Sequence, residues 1–235
     1  MAKLAAPHHE RHRSEHISWM RASVLGANDG LISTSALLVG IAAANATPQV
    51  ILLTGVASLT AGALSMAAGE YVSVSSQADT EAADTAKEVH ELKHAPEAEL
   101  AELTHIYVQR GLDKALALQV AQQLTAHDAI GAHLRDELGV SQAFAARPVQ
   151  AALASAAAFA VGALPPLLLA WLWRGDNLTW AITGVTLVLL AVLGALAGRL
   201  GGAPIVKGAL RVLFWGAMAM GATAAIGRWF GVATA

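Results

Sequence analysis

Two acidic residues stand inside stretches otherwise apolar enough for a bilayer: Asp29, within Asn28-Asp29-Gly30, and Glu70, within Ala67-Ala68-Gly69-Glu70. A carboxylate in hydrocarbon costs about 2.5 kcal/mol or more, so such residues usually face a bundle interior or a watery path and serve ions or protons. The plainer reading is that each caps a helix or snorkels near an interface, and Asn28-Asp29-Gly30 alone is a turn signal. Met66 lies four residues before Glu70 and so on the same helix face. A thioether beside a carboxylate suits a transition metal better than Mg²⁺ or Ca²⁺, although a lone methionine in a membrane helix is usually filler. A second constellation is Glu88-x-x-Glu91 and Glu99-x-x-Glu102, flanking Pro96, with Glu137 further on. Acids three apart share a helix face, and two such helices meeting at a proline turn can converge four carboxylates whose repulsion a cation relieves. A solvated acidic face is the alternative. Each pair also continues to a histidine, as Glu91-x-x-His94 and Glu102-x-x-His105, and Glu-x-x-His is a di-iron ligand pattern in helical bundles. His8, His9, His12 and His16 could collect metal or sense pH, but a floppy polar tail is the simpler account. No nucleophile elbow, phosphate loop or HExxH pattern is present, so no enzyme chemistry and no nucleotide-driven pumping is expected.

The elements that hold these groups follow from composition. The chain has 235 residues, of which 55% are hydrophobic and only 14% charged, against about 25% charged in ordinary soluble domains. With a mean hydropathy of +0.51, it reads as an integral membrane protein. A net charge of -2 gives no electrostatic case for nucleic acid. Without cysteine, any metal must be held by oxygen, imidazole or thioether. The first sixteen residues are polar and do not read as a signal peptide, so the N-terminus is expected to stay on the side where it is made.

Of the 17 Asp and Glu, 12 lie between Asp79 and Glu137, while the final 96 residues contain only Asp176. The chain therefore divides into a polar tail (1–16), two membrane helices (17–78), a polar insert (79–147) and three more membrane helices (148–235). The five apolar stretches, Ile17 to Ala44, Val50 to Ser75, Gln150 to Trp173, Leu178 to Gly198 and Pro204 to Gly227, are each near or above the ~20 residues that a span needs. Thirteen Lys and Arg fall on one side and only Arg174 and Arg228 on the other, which puts the N-terminus and insert in the cytoplasm and the C-terminus outside. Trp171, Trp173 and Trp180 fit an interfacial belt. Pro96 and Gly111 divide the insert into three helices: a continuation of span two to His94, Glu97 to Arg110, and Leu112 to Leu138. Gly194-x-x-x-Gly198 could allow close packing with another helix. The predicted fold is an all-α membrane protein of five spans with a three-helix cytoplasmic insert.

Two stretches carry a resemblance. The first is Val24-Leu25-Gly26-Ala27-Asn28-Asp29-Gly30-Leu31, preceded by Trp19-Met20-Arg21; the second is Gly62-Ala63-Leu64-Ser65-Met66-Ala67-Ala68-Gly69-Glu70-Tyr71-Val72-Ser73. Together they resemble the vacuolar iron transporter family, in a bacterial-type form with a cytoplasmic metal-binding domain, over nearly the whole chain. The resemblance implies a homodimer that moves Fe²⁺, often also Mn²⁺, out of the cytosol in exchange for protons, with no prosthetic group. It places Asp29 and Met66 on the translocation path, and Glu88, Glu91, Glu99, Glu102 and Glu137 in the metal-binding domain. Two positions depart from the family. The path acid eight residues before the methionine is Ser58 here, a role that Glu70 is expected to take over. The paired methionines of the third insert helix are His133 and Leu134, so an imidazole that suits Fe²⁺, Mn²⁺ and Zn²⁺ replaces a thioether.

The expected mechanism is that the insert's carboxylates, with His133 as a further ligand, gather the metal at the cytoplasmic mouth. They hand it to Asp29, Met66 and Glu70, where protons entering from outside compete for the same groups. The membrane would be the inner one in a bacterium and the vacuolar one in a eukaryote. Two rivals remain: a membrane-anchored metal sensor without flux, and a di-iron ferroxidase built on the Glu-x-x-His pairs.

Overall fold

The computed structural model describes residues 14–139, 147–173 and 175–233, with the side chains of 14–22 and 232–233 left aside. His8, His9 and His12, and the side chain of His16, lie outside what is described. Seven helices follow one another: α1 (Ser14–Ala43), α2 (Pro48–His94), α3 (Pro96–Gln109), α4 (Lys114–Asp136), α5 (Pro148–Leu172), α6 (Leu178–Leu200) and α7 (Ile205–Ala233). The chain forms two compact units, one from Met1–Glu70 with Gln150–Ala235, the other Tyr71–Val149.

The first unit holds the spans. Helices α1, α2, α5, α6 and α7 are each long and apolar enough to cross a bilayer, so the chain is an all-α membrane protein. In hydrocarbon every backbone N–H and C=O must be bonded within its own segment. Asn28-Asp29-Gly30, a turn signal elsewhere, is accordingly taken into the middle of α1 without a break. The first turn between spans forms where the sequence places Asn45-Ala46-Thr47-Pro48: Asn45 adopts a left-handed φ of 60°, and Pro48 begins α2, where its missing N–H costs nothing.

Small residues set the helix spacing. A Cβ at Gly30 of α1 would collide with the Phe159 carbonyl of α5, and one at Gly162 of α5 would collide with the Ala27 carbonyl of α1. The Gly194-x-x-x-Gly198 pair has its partner in α7, where a Cβ on Gly194 would lie 2.8 Å from the Gly208 oxygen. Leu38, Val39, Ile51, Ile182 and Met220 form the buried core of this unit. Through it runs a hydrogen bond between the fully buried hydroxyls of Ser35 in α1 and Thr186 in α6, at 2.7 Å.

The second unit contains the polar end of α2, where Asp79, Glu81, Asp84 and Lys87 mark the segment beyond the membrane-spanning stretch, together with α3 and α4. One residue, Ala95, joins α2 to α3, and Pro96 opens α3 with Glu97 and Glu99 in the first turn, where acids suit the helix dipole. Gly111, at φ 101°, ends α3 in the left-handed conformation that glycine adopts most readily. Asp113 then caps α4 by accepting from Leu116 N–H at 3.0 Å. Leu103 and Tyr107 of α3 pack on Ala117, Ala121 and Ala132 of α4. The third insert helix differs from its expected form in two ways: it begins at Lys114 rather than Leu112, and it breaks at Asp128 (φ -160°, ψ 87°). The Asp128 carboxylate accepts from Gly131 N–H at 2.9 Å, so it acts as an N-cap for the last two turns.

The glycine contacts give a matched test in the purified full chain. Gly162→Leu is expected to cost about 2 kcal/mol or more by overpacking and to lower the thermal midpoint clearly. Gly184→Ala, where a Cβ meets nothing within 4 Å, should leave the midpoint unchanged or slightly raised. Equal effects would refute close packing at Gly162.

Candidate metal site

Glu88 of α2, Glu99 of α3, His133 of α4 and Glu137 just past α4 each offer one ligand atom, all within 4.8 Å of one another. The spacing of buried residues explains which acids enter. In α3, Glu99, Leu103 and Tyr107 are four apart and form the buried stripe facing α4; the acid rides inward on the apolar stripe. Glu102 falls off that stripe and is exposed. In α4 the cap at Asp128 restarts the helix, and its last turns bring His133 inward with Glu137 four residues on.

His133 is the centre of the group. Its Nδ1 lies 2.9 Å from Glu88 Oε1, 3.1 Å from Glu137 Oε2 and 3.7 Å from Glu99 Oε2. Of these approaches the one to Glu137 has hydrogen-bond geometry. Glu88 Oε1 and His133 Nε2 are both buried without a hydrogen-bond partner. His133 is 0% exposed, Glu88 3% and Glu99 7%, so these polar atoms have lost water without full compensation. Burial first, then the negative charges of Glu137, Glu99 and Glu91, push the Glu88 carboxyl up to about 7, against the pull of His133. Burial and Glu102 likewise raise Glu99. Three carboxylates and an imidazole, three of the four buried and the group short of positive charge, are a ligand set that could hold a divalent cation of borderline hardness.

Beside it, a network holds the end of α4 in place. Tyr107 donates to Asp136 Oδ2 at 2.7 Å, Arg135 to the same oxygen at 2.9 Å, and Arg110 to Oδ1 and to the Asp136 carbonyl. Burial disfavours the ionised form of Asp136, but the hydrogen bonds from Arg135, Tyr107 and Arg110 outweigh it and hold the carboxyl down at about 2. Asp136 therefore anchors α4 to α3 one residue before Glu137. A cavity lined by Glu102, His105, Arg110, Asp136 and Glu137 reaches this edge of the group.

The remaining sequence-derived candidates lie elsewhere. Glu91 is half-exposed and paired with Lys87 at 3.4 Å. His94 Nδ1 bonds the His90 carbonyl and His105 faces Gln109, so the Glu-x-x-His pairs do not assemble a common centre with Glu88, Glu99, His133 and Glu137. Asp29 is exposed on α1, and Met66 and Glu70 are half-buried one turn apart on α2. Ser58 lies 3.4 Å from Thr34 Oγ1. The anchor Asp136 was not among the sequence candidates; the Tyr107–Arg110 spacing, which places a donor pair on one face of α3, was the available signal.

The pKa shifts give two tests. The unfolded chain sheds the Glu88 proton near 4.5 and the folded chain near 7. Between these values the folded state holds more protons, so stability falls as pH rises through the window, and the loss is complete above about 7. The chelator-treated protein should show this decline in thermal midpoint and Glu88→Gln should abolish it; an unaltered slope would refute the assignment. Asp136 behaves oppositely: its contribution is present above 3.8 and lost as pH falls toward 2. Asp136→Asn is expected to cost about 2 kcal/mol at neutral pH, from the loss of charge-assisted hydrogen bonds, measured by denaturant unfolding.

Relatives place the chain. A sequence model of the VIT family matches residues 20–228. The vacuolar iron transporter of Acanthamoeba castellanii is 47% identical over 221 residues, covering 93% of this chain and 82% of that protein. Vacuolar iron transporter homolog 3 of Arabidopsis thaliana is 36% identical over 211 residues, covering 89% and 82%. Vacuolar iron transporter homolog 2 of rice, Oryza sativa subsp. japonica, is 36% identical over 217 residues, covering 90% of each. With a match over most of its length and relatives at this identity, the chain belongs to the VIT family.

Proposed function

We propose that the protein is a proton-coupled transporter that carries Fe²⁺, and Mn²⁺ as a second substrate, out of the cytosol. The observation that carries this reading is the group of buried Glu88, Glu99 and His133 with the exposed Glu137 beside them, Glu88 Oε1 and His133 Nε2 being unpartnered, in a chain with five candidate spans. Relatives named as vacuolar iron transporters support iron as the cargo. In this reading the four groups load the metal, while Glu91 and Glu102 at the surface draw cations toward the cavity beside Glu137. The N-terminus and loading site face the cytoplasm, in agreement with the lysine and arginine bias.

The path through the membrane is assigned to Asp29, Met66 and Glu70. Leu25, Asp29, Ser33 and Leu37 recur every four residues on an exposed face of α1. A carboxylate on that face is costly against lipid tails. A second copy covering this face would spare the carboxylate that cost, which is the argument for a homodimer with a polar path between the copies. Met66 and Glu70 occupy one face of α2 and supply a thioether and a carboxylate to the same ion, with Glu70 standing in for the acid absent at Ser58. Protons arriving from the far side neutralise these carboxylates and release the metal. The membrane is the vacuolar one in a eukaryote and the plasma membrane in a bacterium.

Proteoliposomes holding the purified protein provide the test, with Fe²⁺ and Mn²⁺ flux compared under an imposed pH gradient. Metal movement is expected only with the gradient, and Asp29→Ala should abolish it. His133→Ala should weaken metal affinity by about tenfold or more, since even groups that merely orient ligands have effects of that size, while gradient-driven flux at saturating metal persists. Undiminished flux by Asp29→Ala would overturn the path. Metal binding without flux would leave a sensor, and oxygen consumption on adding Fe²⁺ would leave a ferroxidase.

A further inference from the structure

Between α6 and α7, with Val39 of α1 also lining it, lies a cleft of about 280 Å³ whose apolar walls include Leu187 and Met220. Its mouth is different in character: Arg228 from the last turns of α7 stands there with Thr179 and Trp180 from the first turn of α6. Arg228 is exposed and makes no ion pair or hydrogen bond among the described residues. Asp176, the one acid in the last 96 residues, lines a separate cavity with Trp171 and Trp173. Inside the cleft, the Thr183 hydroxyl is already satisfied by the Thr179 carbonyl at 2.8 Å, so the deeper walls ask for no polar ligand.

We propose that this cleft is a binding site for one anionic phospholipid, its phosphate held by Arg228 and an acyl chain laid between α6 and α7. The charge fits, because a guanidinium near the end of a membrane helix can pair with phosphate oxygens through two parallel N–H bonds. The tryptophan beside it has the amphipathic ring that settles at headgroup depth. The apolar walls select lipid over free phosphate, which has nothing to place there. The site lies within the membrane unit and involves none of the residues assigned to metal, so it stands or falls independently of transport.

The test is the thermal midpoint of the full chain in a neutral detergent. Added phosphatidylglycerol is expected to raise it by about 5 °C, the size of shift that ligand linkage gives for a chain of this length at well above the dissociation constant. Diacylglycerol with the same chains, and inorganic phosphate, should give no shift. Arg228→Gln should lose the rise while keeping its lipid-free midpoint, and Arg211→Gln, near the opposite end of α7, should retain it. Leu187→Phe, which fills the cleft and keeps the charge, should also lose it. No shift in the parent protein, an equal shift in Arg228→Gln, or a shift with inorganic phosphate alone would each overturn the proposal.

Discussion

A carboxylate removed from water must meet a proton or a cation, and this constraint governs the insert. Glu88 and Glu99 are almost wholly buried, with Glu137 beside them and one imidazole between. Three negative charges within a few ångströms cannot all be ionised in low dielectric without opposing charge. The upward shift of Glu88 to about 7 is the response of the metal-free group: it stores a proton where a divalent ion would supply charge. Binding of a divalent ion by this group would release that proton.

The rest of the insert serves to enforce this arrangement. A one-residue link, a proline start and a glycine stop fix where α3 lies in the chain. Leu103 and Tyr107 are packed on small alanines of α4, so Glu99, one turn before them on the same stripe, is carried inward by the burial of its apolar neighbours. The Asp128 cap and the Asp136 anchor settle the two ends of the last α4 turns, between which His133 points inward. An exposed Glu-x-x-Glu helix without this packing would leave its acids in water, fully charged and only weakly drawn to cations.

In the membrane unit the same constraint takes another form. Hydrocarbon forbids unpaired backbone groups, so Asn28-Asp29-Gly30 stays helical and Asp29 is presented sideways instead of in a turn. Glycines on α1, α5, α6 and α7 permit backbone contacts that substitute for bulky interdigitation. Buried hydroxyls such as Ser35 and Thr186 pair across helices.

By itself the sequence determined the element order, because long apolar runs, proline, glycine and the crowding of acids into one segment act locally. Five long apolar helices and the division of the polar segment at Pro96 and Gly111 were legible in this way. The family was legible from the motifs around Asp29 and Met66. The selection among candidate ligands was not. Glu88 and Glu91 are equivalent by spacing, as are Glu99 and Glu102, yet only Glu88 and Glu99 enter the buried group. Which of two acids turns inward depends on the rotation of each helix about its axis, and that rotation is set by contacts between residues far apart in the chain. The same holds for the break at Asp128, whose local sequence permits a continuous helix, and for the Asp136 anchor, whose donors come from another helix. Periodicity states that a face exists; only packing against a neighbour decides what that face meets.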